Sequence, residues 1–290
     1  MTMKDIISLL RPAQWIKNLF VLAPLFFSNN ILKQDLLLQA VIAFVAFCLA
    51  ASSIYCLNDI FDRKTDSLHP KKKHRPVASG KISVNKAYLI MAFCLVAALG
   101  FAAITNVFCV VGILIYCIIN ILYCLRLKRH AIIDVFIISF GYVIRVLVGG
   151  AVTNIQVSGW LVLMTFLLTL FLAFAKRKDD YYIYEETGQI QRQSIKGYNA
   201  QFIDLSVALT GTITIVCYII YTMIDSVIER MGSQYLYLTS FWVVAGILRH
   251  MQNMLVFQRS GSPTKAVLHD RFIQICILGW GASFVAIIYL

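Results

Sequence analysis

The chain has 290 residues, 60% of them hydrophobic and 14% charged, with a formal net charge of +12 and a mean hydropathy of +0.77. A water-soluble domain of this length could not hide so much apolar surface, so the composition excludes a soluble enzyme and predicts a polytopic membrane protein. The eight cysteines all fall in apolar runs with no CxxC spacing, which argues against a disulfide framework or a zinc site.

Apolar runs predict nine spans, at roughly 15–32, 36–58, 86–104, 107–126, 132–152, 158–176, 203–223, 235–257 and 272–290. Pro24 should kink the first of them. Of the 26 Lys and Arg, threading nine spans leaves Lys33 and Arg230 on one side and Arg145 within the fifth span. The other 23 share the side of the N-terminus, which the positive-inside rule makes cytoplasmic. The expectation is an integral protein of the inner (cytoplasmic) membrane, with its N-terminus cytoplasmic and its C-terminus opposite. Met1 to Leu10 lacks the apolar core and cleavage site of a removable signal peptide. Topology and attraction to anionic lipid account for most of the basic charge, so membrane lipid is an expected partner and nucleic acid is not.

In chain order, Arg11-Pro12-Ala13-Gln14-Trp15-Ile16-Lys17-Asn18 opens the first span. Trp15 reads as an interfacial anchor and Arg11 as a positive-inside residue. Gln14, Lys17 and Asn18 have helical i, i+3, i+4 spacing and predict a polar seam lining a cavity. The second span ends in Asn58-Asp59-Ile60-Phe61-Asp62-Arg63-Lys64-Thr65-Asp66, which places Asp59, Asp62 and Asp66 on one helix face, with Asn58 a turn from Asp62. Carboxylates crowded at a membrane border repel one another unless a cation lies among them. Hard oxygen donors in this number suit magnesium and a phosphorylated substrate better than zinc.

A basic loop follows, from Ser67 to Lys81, broken by Pro70, Pro76 and Gly80. Positive-inside explains its lysines, and Arg75, between helix breakers, is its most specific anion ligand. Span four carries Tyr116, Asn120 and Tyr123 on one face, for which interhelical hydrogen bonding is the default role. Asp134 suits the N-terminus of span five. Arg145 lies too deep in that span to snorkel and needs an anion, either a carboxylate of another helix or a substrate phosphate. Span six is expected to end near Lys176-Arg177-Lys178-Asp179-Asp180, where Lys176 and Arg177 fit phosphate recognition or topology equally well, and a polar loop is expected from there to about Gln201.

The motif Asn58-Asp59-x-x-Asp62-x-x-x-Asp66, the nine spans and the basic loop together resemble the UbiA superfamily of intramembrane prenyltransferases. The resemblance covers essentially the whole chain. It implies one all-α domain over residues 1–290, a helical bundle around a central cavity open to the cytoplasm. It also implies Mg2+ held by Asn58, Asp59, Asp62 and Asp66 on a substrate diphosphate. A second acidic motif of the superfamily, DxxxD-like, is expected after span six, and here the chain has adjacent Asp179 and Asp180 instead. Arg11-Pro12-x-Gln14-Trp15-x-Lys17-Asn18, Gly141-Tyr142-Val143-x-Arg145 and Lys176-Arg177 are similar to the decaprenyl-phosphate phosphoribosyltransferase branch.

That branch implies transfer of 5-phosphoribose from 5-phosphoribosyl diphosphate to polyprenyl phosphate, for lipid-linked arabinofuranose donors of cell-envelope glycans. Under it, Asp59, Asp62 and Arg145 are the catalytic residues, and Gln14, Lys17, Asn18, Arg75, Tyr123, Lys176 and Arg177 bind substrate. Two alternatives stay open from sequence: prenyl transfer to an aromatic acceptor in quinone biosynthesis, and a non-enzymatic transporter of anionic lipid or ligand. A homo-oligomer is left open as well.

Overall fold

The computed structural model describes every residue except 1, 69–71, 189, 191, 258–265, 268 and 290. His69, Pro70 and Lys71 of the basic loop therefore lie outside the described residues, as does most of the loop after the eighth expected span. Among the described residues there are helices, turns and irregular segments and no strand. In order the helices are α1 (Met3–Leu10), α2 (Ala23–Phe27), α3 (Gln34–Phe61), α4 (Arg63–Ser67), α5 (Val84–Thr105), α6 (Val107–Leu125), α7 (Ile133–Thr153), α8 (Gly159–Thr187), α9 (Ala200–Met223), α10 (Asp225–Met231), α11 (Ser240–Leu255) and α12 (Arg271–Tyr289). Among them α3, α5, α6, α7, α8, α9 and α12 are long and apolar enough to cross a membrane.

Side-chain caps set several starts. Ser83, Asn106, Ser158 and Asn199 each accept the backbone N–H three residues on, at the heads of α5, α6, α8 and α9, filling a donor that the first turn leaves without a partner.

Two of the nine expected spans are not single long α-helices. The first is a 3-10 segment, Pro12–Leu22, followed by the short α2. Pro12 opens the 3-10 segment, and Pro24, with no N–H to give back, lies in the first turn of α2, where none is needed. The eighth begins as a 3-10 segment, Gln234–Thr239, and continues as the 16-residue α11.

Two boundaries also move. The single acidic helix face expected from Asp59 to Asp66 is interrupted, because α3 stops at Phe61 and Asp62 is the joint to α4. Conversely α8 does not end at Lys176 but runs to Thr187, closed by Gly188 at φ 66, a left-handed turn suited to glycine. Paired charges let the helix continue, as shown below.

The chain divides into two compact units, one of Met1–Leu127 with Ile144–Val157, the other of Lys128–Val143 with Ser158–Leu290. In the first, Ala43, Ala46, Ala50 and Ala51 of α3 are buried in one core with Ala98 and Ala102 of α5. Small side chains let the two backbones come close, which supplies van der Waals packing where lipid offers no hydrophobic drive. Gly149 of α7 serves the same end, since a Cβ there would collide with the Val21 carbonyl of the 3-10 segment. In the second unit Phe171 and Phe174 of α8 pack with Ile203 and Val207 of α9 and with Ile247 and Met254 of α11.

Candidate active site

In the first unit Asp59, Asp66 and Arg75 meet at the end of α3, while Asn18 and Arg145 meet beside Phe47 and Cys48 in its middle. Ser52 of α3 holds both N-terminal segments, donating to the Leu10 carbonyl at 2.9 Å and accepting from Trp15 Nε1 at 3.1 Å. Arg11, the C-cap of α1, adopts the left-handed conformation at φ 54. Its Nη2 donates to Asp59 Oδ1, and its guanidinium lies 5.1 Å from the centre of the Tyr55 ring. Arg75 reaches the same place from the loop before α5, donating from Nη1 to Asp66 Oδ2 at 2.7 Å and to Asp59 Oδ1 at 3.3 Å. Asp59 and Asp66 are buried, so an ion pair is required to hold their charge there. Asn58 accepts from Cys124 Sγ at 3.5 Å. Asp62 is half-buried.

Gln14, Lys17 and Asn18 do not share one face. A 3-10 helix repeats every three residues, so Gln14 and Lys17 eclipse while Asn18 turns away. Gln14 and Lys17 are half-buried and Asn18 is buried. Asn18 donates to Cys48 Sγ at 3.2 Å and accepts from Arg145 Nε at 2.7 Å. Arg145, 5% exposed, also lies over two rings, its guanidinium carbon 4.6 Å from the centre of Tyr116 and 5.4 Å from that of Phe47. Of the two partners expected for Arg145, an acidic-motif carboxylate is not among these contacts; an amide oxygen and aromatic faces hold it. Tyr123, further along α6, is half-buried.

In the second unit Arg177 is wholly buried. Its Nε donates to Asp134 Oδ2 at 2.7 Å and its Nη1 to Asp180 Oδ2 at 2.5 Å. Asp134 also accepts from Ser194 Oγ at 2.9 Å and from the Tyr198 hydroxyl at 2.7 Å. Tyr198 in turn accepts the N–H of Ile132 at 2.7 Å, holding a β-branched residue at φ 68, where such residues are strained. Burial, and then the Asp134 charge, push the Tyr198 hydroxyl above its ordinary pKa. Lys178 pairs with Asp204 at 2.7 Å. The simple helix-start role expected of Asp134 is thus too small, because it anchors a buried network. Arg177 is committed to carboxylates rather than displayed at a membrane exit, whereas Lys176 is half-buried.

Sequence reasoning missed Arg11 as a carboxylate partner, since position near the membrane already explained it. It also missed Ser194 and Tyr198, which carry no local signal of a partner 60 or more residues away.

Asn58, Asp59, Asp62 and Asp66 offer the hard oxygen donors that a magnesium ion takes. Among the described residues no three of His, Cys, Asp and Glu converge closely enough to hold an ion as they stand. Instead Arg75 bridges Asp59 and Asp66. Asp59 Oδ2 is buried with no hydrogen-bond partner, an acceptor that a cation would satisfy. The donor set fits the ion in its chemistry, with guanidinium groups supplying the positive charge in this structure.

The UbiA prenyltransferase family matches residues 19–268. The chain is 32% identical to a decaprenyl-phosphate phosphoribosyltransferase of Mycolicibacterium smegmatis over 98% of its own length and 92% of that protein. It is 31% identical to a protein of the same name from Corynebacterium glutamicum, over 98% of this chain and 86% of the other. Its fold is similar to that of a UbiA homologue from Archaeoglobus fulgidus bound to DMAPP and Mg2+, with a TM-score of 0.73 at 21% identity, covering 98% of this chain and 99% of that one.

Proposed function

The chain belongs to the UbiA prenyltransferase family, and from that premise we propose that it moves 5-phosphoribose from 5-phosphoribosyl diphosphate to a polyprenyl phosphate. The observation that carries the reading is the near full-length likeness to two decaprenyl-phosphate phosphoribosyltransferases. The site agrees with it. A water-soluble donor carrying a diphosphate and a second phosphate calls for a cation site and several guanidinium groups, and Asp59, Asp66, Arg11, Arg75 and Arg145 supply both kinds of charge.

The reaction is a displacement at the anomeric carbon. The bond from that carbon to the diphosphate breaks, pyrophosphate departs with the electron pair, and an oxygen of polyprenyl phosphate forms the new bond. That oxygen is already anionic at neutral pH, so no strong general base is needed. A magnesium ion held by Asn58, Asp59, Asp62 and Asp66 would neutralise charge on the leaving pyrophosphate. Arg145, kept rigid by Asn18 and the two rings, orients an anionic phosphate. Gln14 and Lys17, on one face of the 3-10 segment, and Tyr123 on α6 contact substrate. In the second unit Lys176 meets a phosphate, and Arg177 positions it by fixing α8 to Asp134.

In this reading residues 1–290 are one catalytic domain of nine membrane-crossing segments around a cavity open to the cytoplasm. The N-terminus is cytoplasmic and the C-terminus opposite, supported by the concentration of Lys and Arg on the N-terminal side when nine spans are threaded. The product would feed arabinofuranose donors for cell-envelope glycans. The test is purified protein given Mg2+, radiolabelled phosphoribosyl diphosphate and polyprenyl phosphate. An organic-extractable, acid-labile radiolabelled lipid is expected. Product only from a prenyl diphosphate and an aromatic acceptor would overturn the phosphoribosyl reading and leave the family standing.

A further inference from the structure

Asp59 is 1% exposed and its charge is compensated unevenly. Oδ1 accepts from both Arg11 and Arg75, while Oδ2 is buried and accepts from no one. Arg75 also spans to Asp66, so both guanidinium groups meet Asp59 on Oδ1 and neither hydrogen-bonds its Oδ2.

Arg11 and Arg75 differ in kind from the buried arginines of the long helices. Arg145 and Arg177 sit on long helices with exposures of 5% and 0%. The side chains of Arg11 and Arg75 are 24% and 26% exposed. They stand at a joint between α1 and the 3-10 segment and in the loop before α5, outside the spans. Their guanidinium groups can leave Asp59 without moving a helix.

Resting on the phosphoribosyl diphosphate reading, we propose that Arg11 and Arg75 are exchangeable counter-ions of the acidic motif. They hold Asp59 and Asp66 until a divalent ion takes the carboxylates, and then pass to the diphosphate that arrives with it. A divalent ion beside Asp59 brings more positive charge than a guanidinium and reaches the bare Oδ2. Released, each guanidinium presents the planar fork that matches phosphate oxygens. The arginines therefore oppose the ion when it comes alone and favour it when diphosphate comes too. This is a reciprocal coupling that loads ion and donor as one event. It also spares the motif from being left as buried, unpaired carboxylates between turnovers.

The test uses the full chain in detergent and two binding measurements. Mn2+ alone is titrated by the loss of its free EPR signal, and inorganic pyrophosphate is titrated calorimetrically at saturating Mn2+. Relative to wild type, Arg75→Gln is expected to bind Mn2+ alone roughly tenfold more tightly and pyrophosphate roughly tenfold more weakly. Arg11→Gln should shift both in the same directions. A merely structural role would weaken both or neither, and Mn2+ affinity unchanged or reduced in these variants overturns the proposal. Should Arg75→Gln fail to fold, Arg11→Gln carries the same test, and Mn2+ affinity that does not rise in it overturns the proposal. Wild type that binds pyrophosphate with Mn2+ but not phosphoribosyl diphosphate overturns the donor assignment while upholding the counter-ion exchange.

Discussion

Arg177 donates from Nε to Asp134 at 2.7 Å, with both side chains at 0% exposure. Removing one partner of such a pair leaves an uncompensated buried charge, at a cost of about 3–5 kcal/mol. Asp134→Ala is therefore expected to lower the thermal unfolding temperature in detergent sharply, and Tyr198→Phe, which removes one hydrogen bond to Asp134 and one from the Ile132 N–H, to cost about 1–3 kcal/mol of stability. An unchanged melting curve for Asp134→Ala would show that the pair does not hold the fold.

Asp59→Asn and Asp62→Asn each keep the side-chain shape and remove a carboxylate from the acidic motif. Turnover should fall by roughly a hundredfold or more, with far-UV circular dichroism unchanged. Full Mg2+-dependent activity in both variants would remove the motif from the chemistry.

Arg145→Lys retains the charge but loses the Nε bond to Asn18 and the planar contact with Tyr116. A fall in kcat of about tenfold is expected, and a larger one for Arg145→Gln. Equal activities of the Lys variant and wild type would mean that charge alone suffices.

Gly149→Ala would drive its new methyl into the Val21 carbonyl, separating α7 from the 3-10 segment. A loss of about 1–3 kcal/mol is expected, read as a lower unfolding temperature. Gly281→Ala meets nothing within 4 Å and is the matched control, expected to melt with wild type.

Asp270 supplies a pH test. Burial alone would raise its pKa, but hydrogen bonds from Asn253, the Ile273 backbone and Arg249 outweigh this and hold it below the ordinary 3.8. A depressed carboxylate contributes its stability above the unfolded value, and the contribution disappears as pH falls through the folded one. Asp270→Asn should therefore be less stable than wild type at pH 7, by about 1 kcal/mol, and converge on it as pH falls through the lowered folded pKa. A difference that persists at low pH would assign the loss to packing.

Most of the long apolar helices were legible along the chain, because twenty-residue apolar runs are local properties that need no partner to be read. The acidic motif was legible for the same reason. The first and eighth segments were misjudged because hydropathy measures apolar content and is blind to helix type. The 3-10 period then changed which of Gln14, Lys17 and Asn18 share a face. The end of α8 was misplaced because charge was read as an exit from the membrane, when Arg177 and Lys178 are instead neutralised in place by Asp134, Asp180 and Asp204.

Family membership thus lies within short stretches of sequence, and so do the residues proposed to carry the chemistry, Asn58 to Asp66 above all. Which cation answers which carboxylate does not. Arg11 meets Asp59 across 48 positions and Arg145 meets Asn18 across 127. Such pairings arise only when helices pack, since burial makes an unpaired charge intolerable and the nearest opposite charge or amide in space, rather than in sequence, must satisfy it.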